Sequence, residues 1–292
     1  MKVCGFTIVR NAIKYDYPVK ESIQSVLPLC DKFIVSIGNS EDDTESLIRS
    51  ITSEKIEIMH TIWDDSLREG GKVLSIETNK VLDNISDEYD WCFYIQSDEA
   101  IHENDYDKIY ECMKKNLNNR NIDGLLFNYH HFFGNYDYVA VSRNWYRKEI
   151  RIIRNDKNIR SYKDAQGFRK TDNSKLKVAN TDAYIYHYGW VRNPYAQLEK
   201  QKSFHKMWHD DEWVNKNVQE EKVMNYEVND ILERFKGKHP SIMLERIKKY
   251  NWQFAYARNK IQLSIKDKLL YSIEKLTNWR IGEYKNYILI KP

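Results

Sequence analysis

Four short apolar runs divide the first hundred residues or so: VCGFTIV (Val3–Val9), KFIVSIG (Lys32–Gly38), Ile56–Trp63 and WCFYI (Trp91–Ile95). Each is short, rich in β-branched or aromatic residues and bounded by turn-forming residues, so each reads as a buried strand. Helical patterns separate them. Pro18–Leu27 places Val19, Ile23, Val26 and Leu27 at helical spacing behind a leading proline. Asp42–Ile51 starts with polar capping residues, and Val73–Ile85 completes the series. Strands alternating with helices of this length require a parallel sheet with right-handed crossovers, which makes the fold class α/β.

The second half changes character. Ile122–Tyr129, Glu149–Ile153 and Ala183–His187 read as strands, but long loops part them, and long ordered loops are usually functional. After Pro194 the pattern is mainly helical, with a break near Gly237–Pro240. Hydrophobic residues at 41% and charged residues at 30% exclude a disordered chain. Four cysteines, Cys4, Cys30, Cys92 and Cys112, sit at no metal-finger or redox spacing and read as reduced thiols. No apolar run approaches the ~20 residues of a membrane helix. The sequence opens on a strand without a leader pattern, so the expected location is cytoplasmic.

In an open parallel sheet, ligands bind beyond the carboxyl ends of the strands. Here those ends carry Arg10-Asn11, then Gly38 to Thr44, then Trp63-Asp64-Asp65 with Gly70-Gly71-Lys72, then Gln96-Ser97-Asp98-Glu99. Small, polar and acidic residues at all four ends predict one cleft. Asp98-Glu99 is the sharpest signal, because carboxylates emerging from an apolar strand need compensation. A helix cap would provide it, and so would Mg²⁺ or Mn²⁺, which takes one or two carboxylates plus substrate phosphates.

In their order and spacing these segments resemble family 2-like bacterial glycosyltransferases of the GT-A fold. Thr7 to Asn11 resembles the first-strand segment that holds the nucleotide. GNSEDDT at Gly38–Thr44 resembles the DDGSTDGT segment, and GGKVLSIETN at Gly70–Asn79 resembles the G…ARN segment. Gln96 to Glu99 resembles the DxDD metal signature, and IYHYGWVR at Ile185–Arg192 resembles the late segment whose histidine completes the metal site. Gln96 stands where the signature has its first Asp, and Ile37 or Gly38 where the family has a base-contacting Asp.

The resemblance implies a GT-A-type, mostly parallel sheet flanked by helices, with a helical C-terminal extension. It implies a catalytic domain over 1–236, with a nucleotide-sugar half at 1–100 and an acceptor half at 101–236, and a basic extension over 237–292. The implied partners are a nucleotide-sugar donor, a divalent metal (Mn²⁺ or Mg²⁺), and a glycan or lipid-linked sugar acceptor. Donor contacts would come from Val9, Arg10, Asn11, Asn39, Gly71, Lys72, Asn79, Gln96, Ser97 and Arg192, with Lys200 also placed for phosphate. Asp98 and His187 would hold the metal, although a His among Tyr186, Tyr188 and Trp190 also suits an aromatic cluster. Asp164 would be the general base, with Asp172 and Asp137 as competitors. His130, His131 and Tyr136 would meet the acceptor; the same segment also suits a strand end packed under a loop. A nucleotidyltransferase and a non-catalytic sugar-binding relative are the rival readings.

Residues 234–292 hold 14 Lys and Arg against 4 Asp and Glu. The plain expectation is a tail packed on an acidic body. The sharper one is peripheral contact with the inner face of the membrane through apolar faces lined by basic residues. Nucleic acid is not expected, since a basic tail alone is a weak footprint.

Overall fold

The computed structural model describes residues 1–67, 69–192, 194–209, 212–213, 230–253, 264–277 and 279–291. Its strands are β1 (Val3–Val9), β2 (Lys32–Ile37), β3 (Ile56–His60), β4 (Trp91–Tyr94), β5 (Glu99–Ile101), β6 (Gly124–Phe133), β7 (Tyr138–Ala140), β8 (Lys148–Arg154), β9 (Ile159–Tyr162), β10 (Gly167–Lys170), β11 (Leu176–Trp190), β12 (Leu232–Arg234) and β13 (Tyr287–Leu289). Its α-helices are α1 (Val19–Val26), α2 (Thr44–Arg49), α3 (Lys72–Asn84), α4 (Tyr106–Asn116), α5 (Pro194–Lys206), α6 (Leu244–Tyr250) and α7 (Ile265–Thr277).

The parallel half is as the sequence requires. β3, β2, β1 and β4 lie side by side and all parallel. All seven residues of β1 are buried, because α1, α2 and α4 pack on one face of the sheet and α3 with the β9–β10 hairpin on the other. Beyond β4 the sheet turns mixed. β8 joins β4 antiparallel, β6 joins β8 antiparallel, and β11 joins β6 in parallel. This is a GT-A-type α/β fold with a Rossmann-like parallel half.

The second half departs from the sequence reading in three ways. The long loops contain β7 and the β9–β10 hairpin. The strand expected at Ala183–His187 runs from Leu176 to Trp190, bent at Asp182, whose φ is +59°. The tail is not wholly helical: β13 pairs in parallel with Leu176–Val178 of β11. Its apolar residues Phe254, Ile261 and Leu263 lie outside the described residues. The tail's carboxylates, as well as its basic groups, meet the body. Arg147 donates to Glu283 (2.8 Å) and Arg143 to Glu274 (3.2 Å), while Arg246 pairs with Asp16. A basic tail on an acidic body is therefore only part of the contact. Ile265, Leu269 and Leu276 of α7, and Trp279 just after it, stay exposed. No described helix is long and apolar enough to cross a membrane.

One buried ion pair braces the region that carries the strand-end residues. Arg151 on β8 donates to both Glu99 oxygens (2.8 and 2.7 Å), and Tyr129 donates a third bond (2.8 Å); Glu99 and Arg151 are fully buried. Such a pair is tolerable inside only because its remaining valences are satisfied. Arg151 also donates to the carbonyl of Gln166 (2.7 Å), so one guanidinium joins the turn before β5 to the loop between β9 and β10.

Glu149, beside it on β8, is different. Burial pushes its carboxyl up to about 7, against the N–H of Ile150 that it accepts (2.8 Å). A folded-state pKa above the unfolded one means that the favourable protonated form is present below the unfolded value and lost as pH rises through about 7. Glu149→Gln is therefore expected to raise stability relative to the parent above pH 7, by up to about 3 kcal/mol. The difference should vanish toward pH 4.5, the carboxyl's ordinary value. Parallel melting-temperature profiles across that range would show that Glu149 finds compensation elsewhere.

Candidate active site

A cleft of about 950 Å³ opens at the carboxyl ends of the parallel strands. This volume suits a nucleotide-sized ligand. Val9, Arg10 and Asn11 after β1, Gln96, Ser97 and Asp98 after β4, Asp164, His187 and Lys200 all line it. The strand-end rule places the β1 and β4 residues, and the β9–β10 loop, β11 and α5 bring Asp164, His187 and Lys200 to the same cleft from up to about 190 positions away.

The β1 end is held by the segment after β2. Asn11 has a φ of +55° and is buried. Its side-chain oxygen accepts from Glu41 N–H (2.6 Å), and its own N–H donates to Ser40 Oγ (3.0 Å). Thr44 Oγ1 accepts from Ala12 N–H (2.7 Å). Arg10 donates to both oxygens of Asp65 (2.5 and 3.1 Å) across the cleft wall. Asn39 supports it from below, accepting from Arg10 Nε through its carbonyl (3.1 Å) and from Trp63 N–H through its side chain (3.1 Å).

Asp98 is the electrostatic centre. Its Oδ2 accepts from Lys200 Nζ (3.0 Å) and from Arg192 Nη2 (3.4 Å), and its Oδ1 faces His187 Nε2 at 3.8 Å. Burial alone would raise the Asp98 pKa; the flanking cations, Lys200 foremost and with it Arg192, outweigh it and hold the carboxyl well below its usual range. Burial, then the neighbouring Arg192, pushes the Lys200 ammonium down to about 8, although Asp98 opposes the shift. The ring of Tyr17 lies under both cations, 4.7 Å from Arg192 Cζ and 5.2 Å from Lys200 Nζ. Glu99 faces away, engaged with Arg151.

Asp164 sits on the β9–β10 loop between Lys163 and Ala165, whose φ angles are +53° and +59°. Two successive-but-one left-handed residues are costly and cluster at functional loops. The loop is pinned on both sides: Gln96 Nε2 donates to the Ala165 carbonyl (3.2 Å), and Arg151 to that of Gln166. Burial raises the Asp164 carboxyl above its ordinary value. Gly71, also left-handed at +67°, packs against it; a Cβ there would stand 2.8 Å from Asp164 Cβ.

No protein-family model matches the chain, and no curated protein matches it in sequence. Solved structures do resemble it. TarS of S. aureus is 14% identical, with a TM-score of 0.38 over 69% of this chain; the match spans 38% of TarS, so the chain covers well under half of that protein. Glucosyl-3-phosphoglycerate synthase of Mycobacterium tuberculosis, solved with Mn²⁺, UDP and glucosyl-3-phosphoglycerate, is 21% identical over 44% of each chain, with a TM-score of 0.31. The 4-diphosphocytidyl-2C-methyl-D-erythritol synthase of Anaerococcus prevotii is 9% identical over 53% of this chain and 70% of its own, with a TM-score of 0.34. These likenesses are distant, and the cleft's own residues carry the functional reading.

Several expected site residues lie elsewhere. Asn79 accepts from Ser161 N–H (2.8 Å), tying α3 to β9 rather than facing the cleft. Asn39, Gly71 and Lys72 do not line the cleft either; the first two act through Arg10 and Asp164, and Lys72 is exposed at the start of α3. His131 is buried with both ring nitrogens engaged, so it cannot meet an acceptor. His130 stacks on Tyr184 (4.4 Å between rings), and Tyr136 is a core residue at 1% exposure. Their shared aromatic composition belongs to packing under β7 and α6. Conversely, Tyr17, Trp63, Tyr146 and Trp190 line the cleft. Trp190 was visible in the IYHYGWVR segment; Tyr146 was not, since nothing nearby in sequence marks it.

Proposed function

We propose that the chain is a glycosyltransferase that moves a sugar from a nucleotide-sugar donor to a hydroxyl acceptor, with inversion and with a divalent metal. The observation that carries this is the convergence, in one cleft, of Asp98 and His187 with two buried cations on one side and the half-buried carboxylate of Asp164 on another wall.

The residues suit a metal. Among the described residues no three His, Cys, Asp or Glu side chains gather to hold one, so the protein offers two ligands, Asp98 Oδ1 and His187 Nε2. Gly189 leaves the space beside them open: a Cβ there would lie 2.4 Å from His187 Nε2 and 3.1 Å from Asp98 Oδ2. Two protein ligands plus phosphate oxygens is an ordinary set for Mg²⁺ or Mn²⁺. When bound, the metal supplies Lewis-acid stabilisation of the departing diphosphate. Lys200 adds positive charge on the cleft wall for phosphate oxygens, while Arg192, expected as a donor contact, is buried behind it and bonds Asp98 and the Tyr15 carbonyl instead. Asp164 takes the acceptor's hydroxyl proton as the new bond to the sugar's anomeric carbon forms and the bond to the diphosphate breaks, the electron pair leaving with phosphate. One displacement of this kind inverts the anomeric centre.

A panel of UDP-, GDP-, CMP- and dTDP-sugars, with and without Mn²⁺, tests the reading by thermal shift. At a hundred times the dissociation constant a bound donor adds about 2.7 kcal/mol, a shift of several degrees. One nucleotide class is expected to raise the melting temperature, and more so with Mn²⁺. No shift from any donor with metal present would sink it.

A further inference from the structure

His131 and His187 face one another across the parallel pairing of β6 and β11. His131 Nε2 lies 2.7 Å from the backbone carbonyl of Tyr146, and its Nδ1 lies 3.0 Å from His187 Nδ1. A carbonyl can only accept, so His131 Nε2 carries a hydrogen. His131 is buried and meets no carboxylate at either ring nitrogen, so with its hydrogen on Nε2 its Nδ1 bears a lone pair. The contact between the two Nδ1 atoms needs one hydrogen, and only His187 can supply it. His187 Nε2 makes no hydrogen bond, since Asp98 Oδ1 at 3.8 Å is out of reach, and a buried N–H would not be left idle there. Its hydrogen is therefore on Nδ1, and Nε2 is a lone pair.

That lone pair points at another acceptor. Nε2 faces Asp98 Oδ1 at 3.8 Å, too far for a hydrogen bond and repulsive without a positive group between them. The ring of His131 is held in place by aromatic neighbours, Tyr146 at 4.5 Å, Trp145 at 5.0 Å and Tyr129 at 5.1 Å between centroids. A rigid ring fixed by a backbone carbonyl makes a dependable template for its partner's protonation pattern.

We propose that His131 is a positioning residue that locks His187 in the Nδ1–H tautomer, so that the Nε2 lone pair is turned toward Asp98 and the cation held there. The part concerning the cation rests on the metal reading above. The relay runs from the Tyr146 carbonyl through His131 to His187, and gives His131 a role in the site although it touches neither donor nor acceptor. The aromatic pocket of β6 is thereby tied to the cleft.

The test compares the wild type, His131→Phe and His131→Asn. The phenyl ring fills the space without accepting a hydrogen bond; the asparagine carbonyl can still accept from His187 Nδ1. With ¹⁵N-labelled histidine and no metal, long-range ¹H–¹⁵N spectra are expected to show His187 as the Nδ1–H tautomer in the wild type and His131→Asn. In His131→Phe it should move toward the Nε2–H form. Titration with Mn²⁺ alone, followed by electron paramagnetic resonance, should show affinity reduced roughly 10–100-fold in His131→Phe and largely recovered in His131→Asn. A purely structural role would lower the melting temperature of both variants without separating their tautomers. An Nε2–H form of His187 in the wild type, or an unchanged tautomer in His131→Phe, overturns the proposal. The tautomer pattern without any Mn²⁺ binding upholds the relay and overturns the metal reading instead.

Discussion

Replacing Asp98 by Asn is expected to lower turnover by about 10³-fold or more and to abolish the Mn²⁺-dependent part of nucleotide binding. Lewis-acid stabilisation of a departing phosphate is worth several kcal/mol, and each 1.36 kcal/mol is a factor of about ten. Asn keeps the shape but loses the charge on which Lys200, Arg192 and His187 converge. Removing one member of a buried charge cluster also leaves the others uncompensated, at a cost that can reach about 3–5 kcal/mol. Circular dichroism and a melting curve therefore accompany the assay, so that lost binding is not mistaken for lost structure. A folded Asp98→Asn protein that binds nucleotide with full Mn²⁺ dependence would place the metal elsewhere.

The second large effect is expected at Asp164. Asn in its place cannot take a proton, and loss of a general base typically lowers turnover about 10²–10⁴-fold. Donor affinity should survive, because the change leaves Asp98, Lys200 and Arg192 untouched. Burial raises the Asp164 carboxyl, so the acid limb of the parent's activity should fall at a higher pH than an exposed aspartate would give, and should be missing from the residual activity of the variant. Asp172 provides the control. It accepts from Ser174 N–H (2.9 Å) in an exposed turn, and the Ser174 contacts lower its pKa. Asp172→Asn should leave turnover near the parent's, and a reversal of the two phenotypes would transfer the base role.

The nucleotide half was legible because each of its elements is decided locally. Val3–Val9, β-branched and apolar but for Thr7, and Trp91–Tyr94, apolar throughout, read as buried strands, so the polar residues at their ends had to share an edge. Asp98 reaches the cleft for that reason, whereas Asp164 arrives on the β9–β10 loop and His187 from within β11. Asn79 failed because a polar residue on an interior helix face can satisfy a neighbouring backbone as readily as a ligand, and Ser161 was there to be satisfied. His130, His131 and Tyr136 failed because aromatic donors crowded together look alike whether they meet a sugar or each other. Glu99 shows the limit most clearly. Nothing beside it in the sequence reveals that Arg151, 52 positions later, would claim it and leave only Asp98 facing the cleft.

The clamp on the β9–β10 hairpin also bears on when that hairpin is fully secured during synthesis. Arg169 on β10 donates to Asn286 (2.6 Å) and to the Tyr284 hydroxyl (2.8 Å), while β13 lies along β11. The loop with Asp164 hangs from that hairpin, yet its clasp is made more than a hundred residues later. A nascent chain that has already emerged from the ribosome through Asp98, Asp164 and His187 still lacks the residues that fasten the hairpin. Nascent chains stalled before residue 284 should hold a formed parallel sheet and a loop already pinned by Gln96 and Arg151, on a hairpin that still lacks its Arg169 clasp.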